Sequence, residues 1–149
     1  MMLIESDMAF DQDEYERWMA QAEHTLKSAI GDVDDGDYGW ACFKAQQAAE
    51  YAVKGLLYGL GVAAIGHSIL RLLGIVERKG VKVSDELKRK ARLLDRHYIP
   101  TRYVNAHVEG SPFEYYDRET AEESIRCSRE ILEFVKSTVS EFADSRYTV

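Results

Sequence analysis

Apolar residues recur along this chain at helical spacing, and no segment alternates apolar and polar positions for long enough to form a strand between turns. The pattern predicts an all-α fold of four to five helices in a single domain over residues 1–149. A first helix, over about residues 11 to 30, carries Tyr15, Trp18, Met19, Ala22, Leu26, Ala29 and Ile30 on one stripe and is expected to stop at Gly31-Asp32. A second, over about 38 to 60 with Asp37 as candidate N-cap, is apolar on more than one face (Trp40, Phe43, Ala45, Ala48, Ala49, Val53, Leu56, Leu57), as befits a helix in the middle of a bundle. A third is read over about 67 to 79. A fourth follows Ser84, with Leu87, Ala91, Leu94 and Tyr98 as its core stripe. Pro100 disfavours helical geometry at Ile99, so the chain should break or kink there and run through an irregular segment from Arg102 to Tyr116. The last helix, over about 118 to 143 with Asp117 as its cap, places Ala121, Ile125, Ser128, Leu132, Val135, Val139 and Phe142 on a core stripe.

Charge changes this picture more than composition does. The net charge of −7 argues against a non-specific nucleic-acid binder, but residues 1 to 37 hold eleven acids and two bases, whereas residues 78 to 102 hold nine bases and three acids. The basic run is either a solvated helix face or an approach to a phosphate site. Met1 to Asp7 lacks the basic and apolar regions of a leader, and no run approaches the roughly 20 apolar residues of a membrane span, so the expected location is the cytoplasm, with no membrane partner. Cys42 and Cys127 lie in apolar helical contexts without metal-ligand spacing and read as buried free thiols.

The candidate chemistry begins where the basic run ends, in Tyr98-Ile99-Pro100-Thr101-Arg102-Tyr103-Val104-Asn105-Ala106-His107. An imidazole can move the proton of a ribose 2′-OH near neutral pH, and a permanently charged guanidinium can hold a phosphate as negative charge builds on it. Five residues apart, the two side chains would point about 140° from each other on a regular helix, so a turn near Asn105 or a two-fold dimer is needed for them to converge. Arg92 and His97 repeat the spacing, but inside a helix whose stripe includes Tyr98, and read as coincidence. Lys88, Arg89, Arg92, Arg96, Tyr103 and Asn105 are the candidate RNA- or nucleotide-binding residues, with base stacking available to the tyrosines. His67 reads as a capping or packing residue at a helix start and His24 as solvated. Glu50 and Lys54, four apart on an apolar helix, invite a structural role at an interface, as do Gln46 and Gln47. No Gly-rich phosphate loop, nucleophile elbow or metal-ligand motif occurs, and neither a metal nor a cofactor is expected.

These segments together resemble the HEPN domain (higher eukaryotes and prokaryotes nucleotide-binding). Trp18 through Ala29 is similar to its first helix, Gln46-Gln47-Ala48-Ala49-Glu50-Tyr51-Ala52-Val53-Lys54 to its Gln-Gln-Ala-Ala-Glu-x-Ala-x-Lys signature, His67-Ser68-Ile69-Leu70 to its His-x-x-Leu, and Tyr98-Ile99-Pro100-Thr101-Arg102-Tyr103 to its Tyr-Ile-x-x-Arg-Tyr. The resemblance implies an antiparallel, up-and-down helical bundle that dimerises around a ribonuclease cleft carrying an Arg-x4-6-His motif, matched here by Arg102 and His107. Many small prokaryotic members are toxins paired with a minimal nucleotidyltransferase antitoxin, and some are modified on a tyrosine at the position held here by Glu109. Val104 stands where many members have proline after Arg-Tyr.

The expected function is therefore a homodimeric, metal-independent endoribonuclease of toxin type. One His107 would take the 2′-OH proton, the partner copy's equivalent would protonate the 5′-oxygen, and the paired Arg102 side chains would stabilise the pentacoordinate phosphate. The alternative is a non-catalytic module that binds a nucleotide or docks a minimal nucleotidyltransferase, with the basic helix facing that partner.

Overall fold

The computed structural model describes residues 9–147, with side chains through Phe142. The stretch Met1 to Asp7, judged from sequence to lack a leader, lies outside them. The fold is all-α: α1 (Gln12–Asp34), α2 (Tyr38–Gly59), α3 (Ile69–Arg78), α4 (Asp85–Asp95) and α5 (Arg118–Tyr147), with 3-10 turns at Val104–Ala106 and Pro112–Tyr115. No strand occurs among the described residues, and no helix among them is long and apolar enough to cross a membrane.

α1 starts where Asp11 accepts the Glu14 amide, with Asp13 and Glu14 favourably placed in the first turn of the helix dipole. It runs through Gly31, where the sequence predicts a stop, and reaches Asp34. A helical glycine costs about 1 kcal/mol, and the added turn offsets this by burying Val33 before Gly36, at φ 81°, lets the chain reverse. Ile30, expected on the core stripe, is instead at the rim, 38% exposed. Asp37 makes no side-chain cap for α2; its amide donates to the Asp32 carbonyl at 2.8 Å and its carbonyl accepts from Ala41, so backbone bonds of the tight turn replace the expected cap.

α2 is the central helix, buried against both α1 and α5. The Asp11 amide donates to Gly59 at one end and Lys44 reaches Ser28 at the other, so α1 and α2 run antiparallel. α5 runs alongside α2 in the same direction, with Ser124 beside Cys42 near their starts and Phe142 meeting Phe10, itself against Gly59, near their ends. Close approach here depends on missing side chains. A Cβ on Gly55 would lie 2.8 Å from Trp18 Cβ and 3.3 Å from the Tyr15 carbonyl oxygen, both rigid parts of α1. Gly55→Ala is therefore expected to destabilise the fold by about 1–3 kcal/mol through overpacking; a urea midpoint unchanged from the parent would show that α1 can move aside.

The connection after α2 does not turn straight into a neighbouring helix. Residues 60–68 carry the chain back along α2, so that α3 begins beside Gln46, whose amide donates to the His67 carbonyl at 2.7 Å. Ser68 and Ser84 cap α3 and α4. α4 ends at Asp95, short of the break expected near Pro100. The Asp95 carboxylate turns to the start of α3, accepting from the amides of Ile69 (2.9 Å) and Leu70 (3.1 Å) and from the Ser68 hydroxyl (3.1 Å). Negative charge at a helix N-terminus is stabilising. Beyond Asp95 the chain tightens into i to i+3 turns, which take Tyr98 off the predicted core stripe. Asp117 caps α5 through the Thr120 amide, as its position predicts. Cys42 and Cys127 are free and buried, and burial pushes the Cys42 thiol up to about 11.

Candidate active site

The turns after α4 reverse the chain so that Arg102 folds back on its own start. Its Nε and Nη2 both donate to the Tyr98 carbonyl, at 3.0 and 2.6 Å. The guanidinium carbon lies 4.4 Å from the Phe43 ring centre, 4.6 Å from that of Tyr98 and 4.9 Å from that of Tyr103. An aromatic cradle stabilises a cation by about 0.5–2 kcal/mol without cancelling its charge. No carboxylate pairs with Arg102 among the described residues, in a chain with a net charge of −7.

His107 is brought to the same turn from the other side. The 3-10 turn Val104–Ala106 delivers it in extended conformation, and its Nε2 lies 2.6 Å from the Pro100 carbonyl oxygen. A carbonyl can only accept, so Nε2 carries the hydrogen and Nδ1 presents the lone pair. The ring stacks on Tyr115 at 4.2 Å, and the Tyr115 hydroxyl donates to the Glu109 carbonyl, closing the loop behind it. Asn105 sits in an ordinary 3-10 turn; among the described residues only glycines have positive φ. Arg102 and His107 thus lie on carbonyls two residues apart in one turn, without a hydrogen bond between them.

The other Arg-x4-His pair is arranged differently. Arg92 is exposed, while His97 packs edge-on against Tyr116 and burial pushes its imidazole below the ordinary value. Around the loop, Trp40, Ile99, Tyr103, Val104, Val108 and Phe113 expose large apolar surface.

A family model for the HEPN domain matches residues 15–138. The chain belongs to the HEPN domain family. Its fold is similar to that of TT1696 from Thermus thermophilus, with 46% identity and a TM-score of 0.81 over 83% of this chain and 97% of that one. It is also similar to ST0689, an archaeal HEPN homologue (40% identity, TM-score 0.72, 85% and 98% coverage). A third match is a HEPN domain protein of Thermotoga maritima (33% identity, TM-score 0.69, 83% and 98% coverage). No protein of curated function matches the chain.

In this HEPN domain the basic run is less free than the sequence count implies. Lys88 pairs with Glu77 of α3 at 2.9 Å, Arg89 with Glu86 at 2.6 Å, and Lys90 with Glu130 of α5. The hydrogen bond from Arg89 holds Glu86 below the usual carboxylate range. Arg92, Tyr103 and Asn105 are exposed, and Arg96 lies at the surface among them. No group of three or more His, Cys, Asp or Glu side chains converges as a ligand set among the described residues.

Sequence reasoning missed the support under Arg102. Phe43 reads as core and Tyr98 as part of the α4 stripe, yet both rings face the guanidinium. It left His67 as a capping or packing residue, and packing is the alternative that the structure shows. Ser68 caps α3, and the exposed His67 ring stacks on Tyr98 at 4.5 Å, with Nδ1 3.2 Å from the buried Glu50 carboxylate. The i, i+4 pair of Glu50 and Lys54 was the available signal. These residues form a network with Gln46 and Gln47 where α2 meets the start of α3.

Proposed function

We propose that this HEPN domain is a metal-independent endoribonuclease, the toxin of a toxin-antitoxin pair, acting in the cytoplasm as a homodimer. The carrying observation is Arg102: a guanidinium with no carboxylate partner among the described residues, held in an aromatic cradle one turn from an imidazole whose Nδ1 is the basic nitrogen. Such a charge suits a phosphate, whose oxygens can take the donors left over from the Tyr98 carbonyl. His107 removes the 2′-OH proton through Nδ1, the 2′-oxygen attacks phosphorus, and Arg102 stabilises the charge that develops. Arg92, Arg96, Tyr103 and Asn105 approach the RNA from the exposed side, and Lys88 and Arg89 contribute where their acidic partners yield. The apolar surface around the loop supports a second copy packing there, and a minimal nucleotidyltransferase is the expected antitoxin. The proton for the departing 5′-oxygen comes either from the second copy's imidazole or from a group of the same chain.

Since the chemistry needs only these side chains, cleavage of RNA by the purified protein should continue undiminished in millimolar chelator and yield 2′,3′-cyclic phosphate and 5′-hydroxyl ends. Strict dependence on added Mg²⁺, or 5′-phosphate products, would overturn the mechanism.

The pairing of Lys88, Arg89 and Lys90 with internal acids favours a second reading, a non-catalytic module that docks a nucleotidyltransferase and binds a nucleotide at Arg102. Nucleotide binding to Arg102 without cleavage of any RNA would select it.

A further inference from the structure

The proposed reaction needs a proton donor as well as a base, and the same chain holds a second imidazole on the aromatic ring that supports Arg102. His67 and the Arg102 guanidinium lie against one ring, that of Tyr98, at 4.5 and 4.6 Å. The two histidines are tethered through opposite nitrogens. The Pro100 carbonyl takes the Nε2 hydrogen of His107, leaving Nδ1 open, whereas the Glu50 carboxylate takes the Nδ1 hydrogen of His67, leaving Nε2 open. A buried carboxylate behind one ring nitrogen fixes the tautomer and orientation of the ring and balances the imidazolium formed when the other nitrogen is protonated.

Glu50 is well placed for this. It is 2% exposed and held by Lys54 at 2.9 Å and Gln47 at 3.1 Å, while the His67 side chain is 56% exposed. The charged and titratable groups near His67 are Glu50 and Lys54 of α2, Asp95 at the end of α4, joined to the neighbouring Ser68 hydroxyl, and Tyr98 and Arg102 of the following turns. His97 cannot take the role, because it is packed against Tyr116.

We infer that His67, oriented by Glu50, is the general acid that protonates the departing 5′-oxygen. This rests on the ribonuclease reading above. In the step, the 2′-oxygen forms a bond to phosphorus and the bond from phosphorus to the 5′-oxygen breaks. The 2′-OH proton goes to His107 Nδ1, and the proton on His67 Nε2 goes to the leaving oxygen. The chain ends with His107 protonated and His67 neutral, and exchange with solvent resets both.

The test uses the full-length protein and an oligoribonucleotide built around a phosphate that the parent cuts, with either oxygen or sulfur as the bridging 5′ atom there. A thiolate leaves without being protonated, so loss of the general acid is forgiven only on the sulfur substrate. His67→Ala and His67→Gln should each cut the oxygen substrate about 10²- to 10⁴-fold more slowly and approach the parent rate on the sulfur substrate. In His67→Gln the amide still donates toward Glu50, which protects the fold if the alanine variant fails. His107→Ala should stay impaired on both.

A His67 variant equally slow on both substrates would make the residue structural and overturn the inference, as would a normal rate on the oxygen substrate. In that last case the proton comes from another donor, such as the partner copy's imidazole. If the parent cuts no RNA at all, so that no such phosphate is found, the ribonuclease reading itself falls, and the acid with it.

Discussion

Arg102→Ala and His107→Ala should each reduce RNA cleavage by at least ~10²-fold while the protein stays folded. His107→Ala removes the base, a contribution of about 10²–10⁴, and Arg102→Ala removes the charge that stabilises the phosphorane, about 10²–10³. Arg102→Lys should rescue little. An ammonium cannot bridge the Tyr98 carbonyl with two donors in one plane while stacking across Phe43 and Tyr98. Neither alanine change should cost much stability, because both side chains sit on a loop and are only partly buried. His97→Ala should behave in the opposite way, keeping cleavage and losing about 1–3 kcal/mol of stability, since it vacates a packed site against Tyr116. Initial rates read beside urea unfolding separate the two behaviours. Loss of cleavage in a folded His97→Ala, with retention in His107→Ala, would move the site to the other Arg-His pair.

Glu50→Ala is expected to be the most destabilising single change in the network, at about 3–5 kcal/mol. Removing one partner of a buried ion pair leaves the other charge uncompensated. Lys54, whose side chain is only 12% exposed, would lose its counter-charge, and Gln47 and His67 would lose an acceptor. Against a typical total of about 5–15 kcal/mol, that is a large share. Glu50→Leu combined with Lys54→Met should cost clearly less than the two single changes summed, because the double variant leaves neither charge buried. Urea unfolding of the parent, the two single variants and the double variant measures the coupling. A loss below about 1 kcal/mol in Glu50→Ala would mean that water reaches Lys54 and that the network is weaker than its burial implies.

The helices were legible because their signals are local. Periodicity of about 3.6 located α1, α2 and α5, Ser84 and Asp117 announced two caps, and Pro100 warned of irregular chain beyond α4. Boundaries moved where a distant partner supplied what the local residues lacked. Val33 is buried by the turn that extends α1 through a glycine, and the carboxylate of Asp95, where α4 ends early, is bound by the start of α3. The basic run misled in a related way, since a count of Lys and Arg cannot show that Glu77 and Glu130 are folded against Lys88 and Lys90.

By itself the sequence determined the all-α class, the central place of α2 and the family, because each rests on residue types at set spacing along the chain. It also singled out Arg102 and His107 as a pair of residue types. Only the tertiary structure decided how that pair is held: Phe43 comes from α2, Tyr98 from a turn released by the early end of α4, and His67 from a connection that doubles back along α2. Those groups stand far apart in the chain. Their meeting depends on where the helices are made to stop, and burial and charge pairing between helices decide that, as no local pattern can.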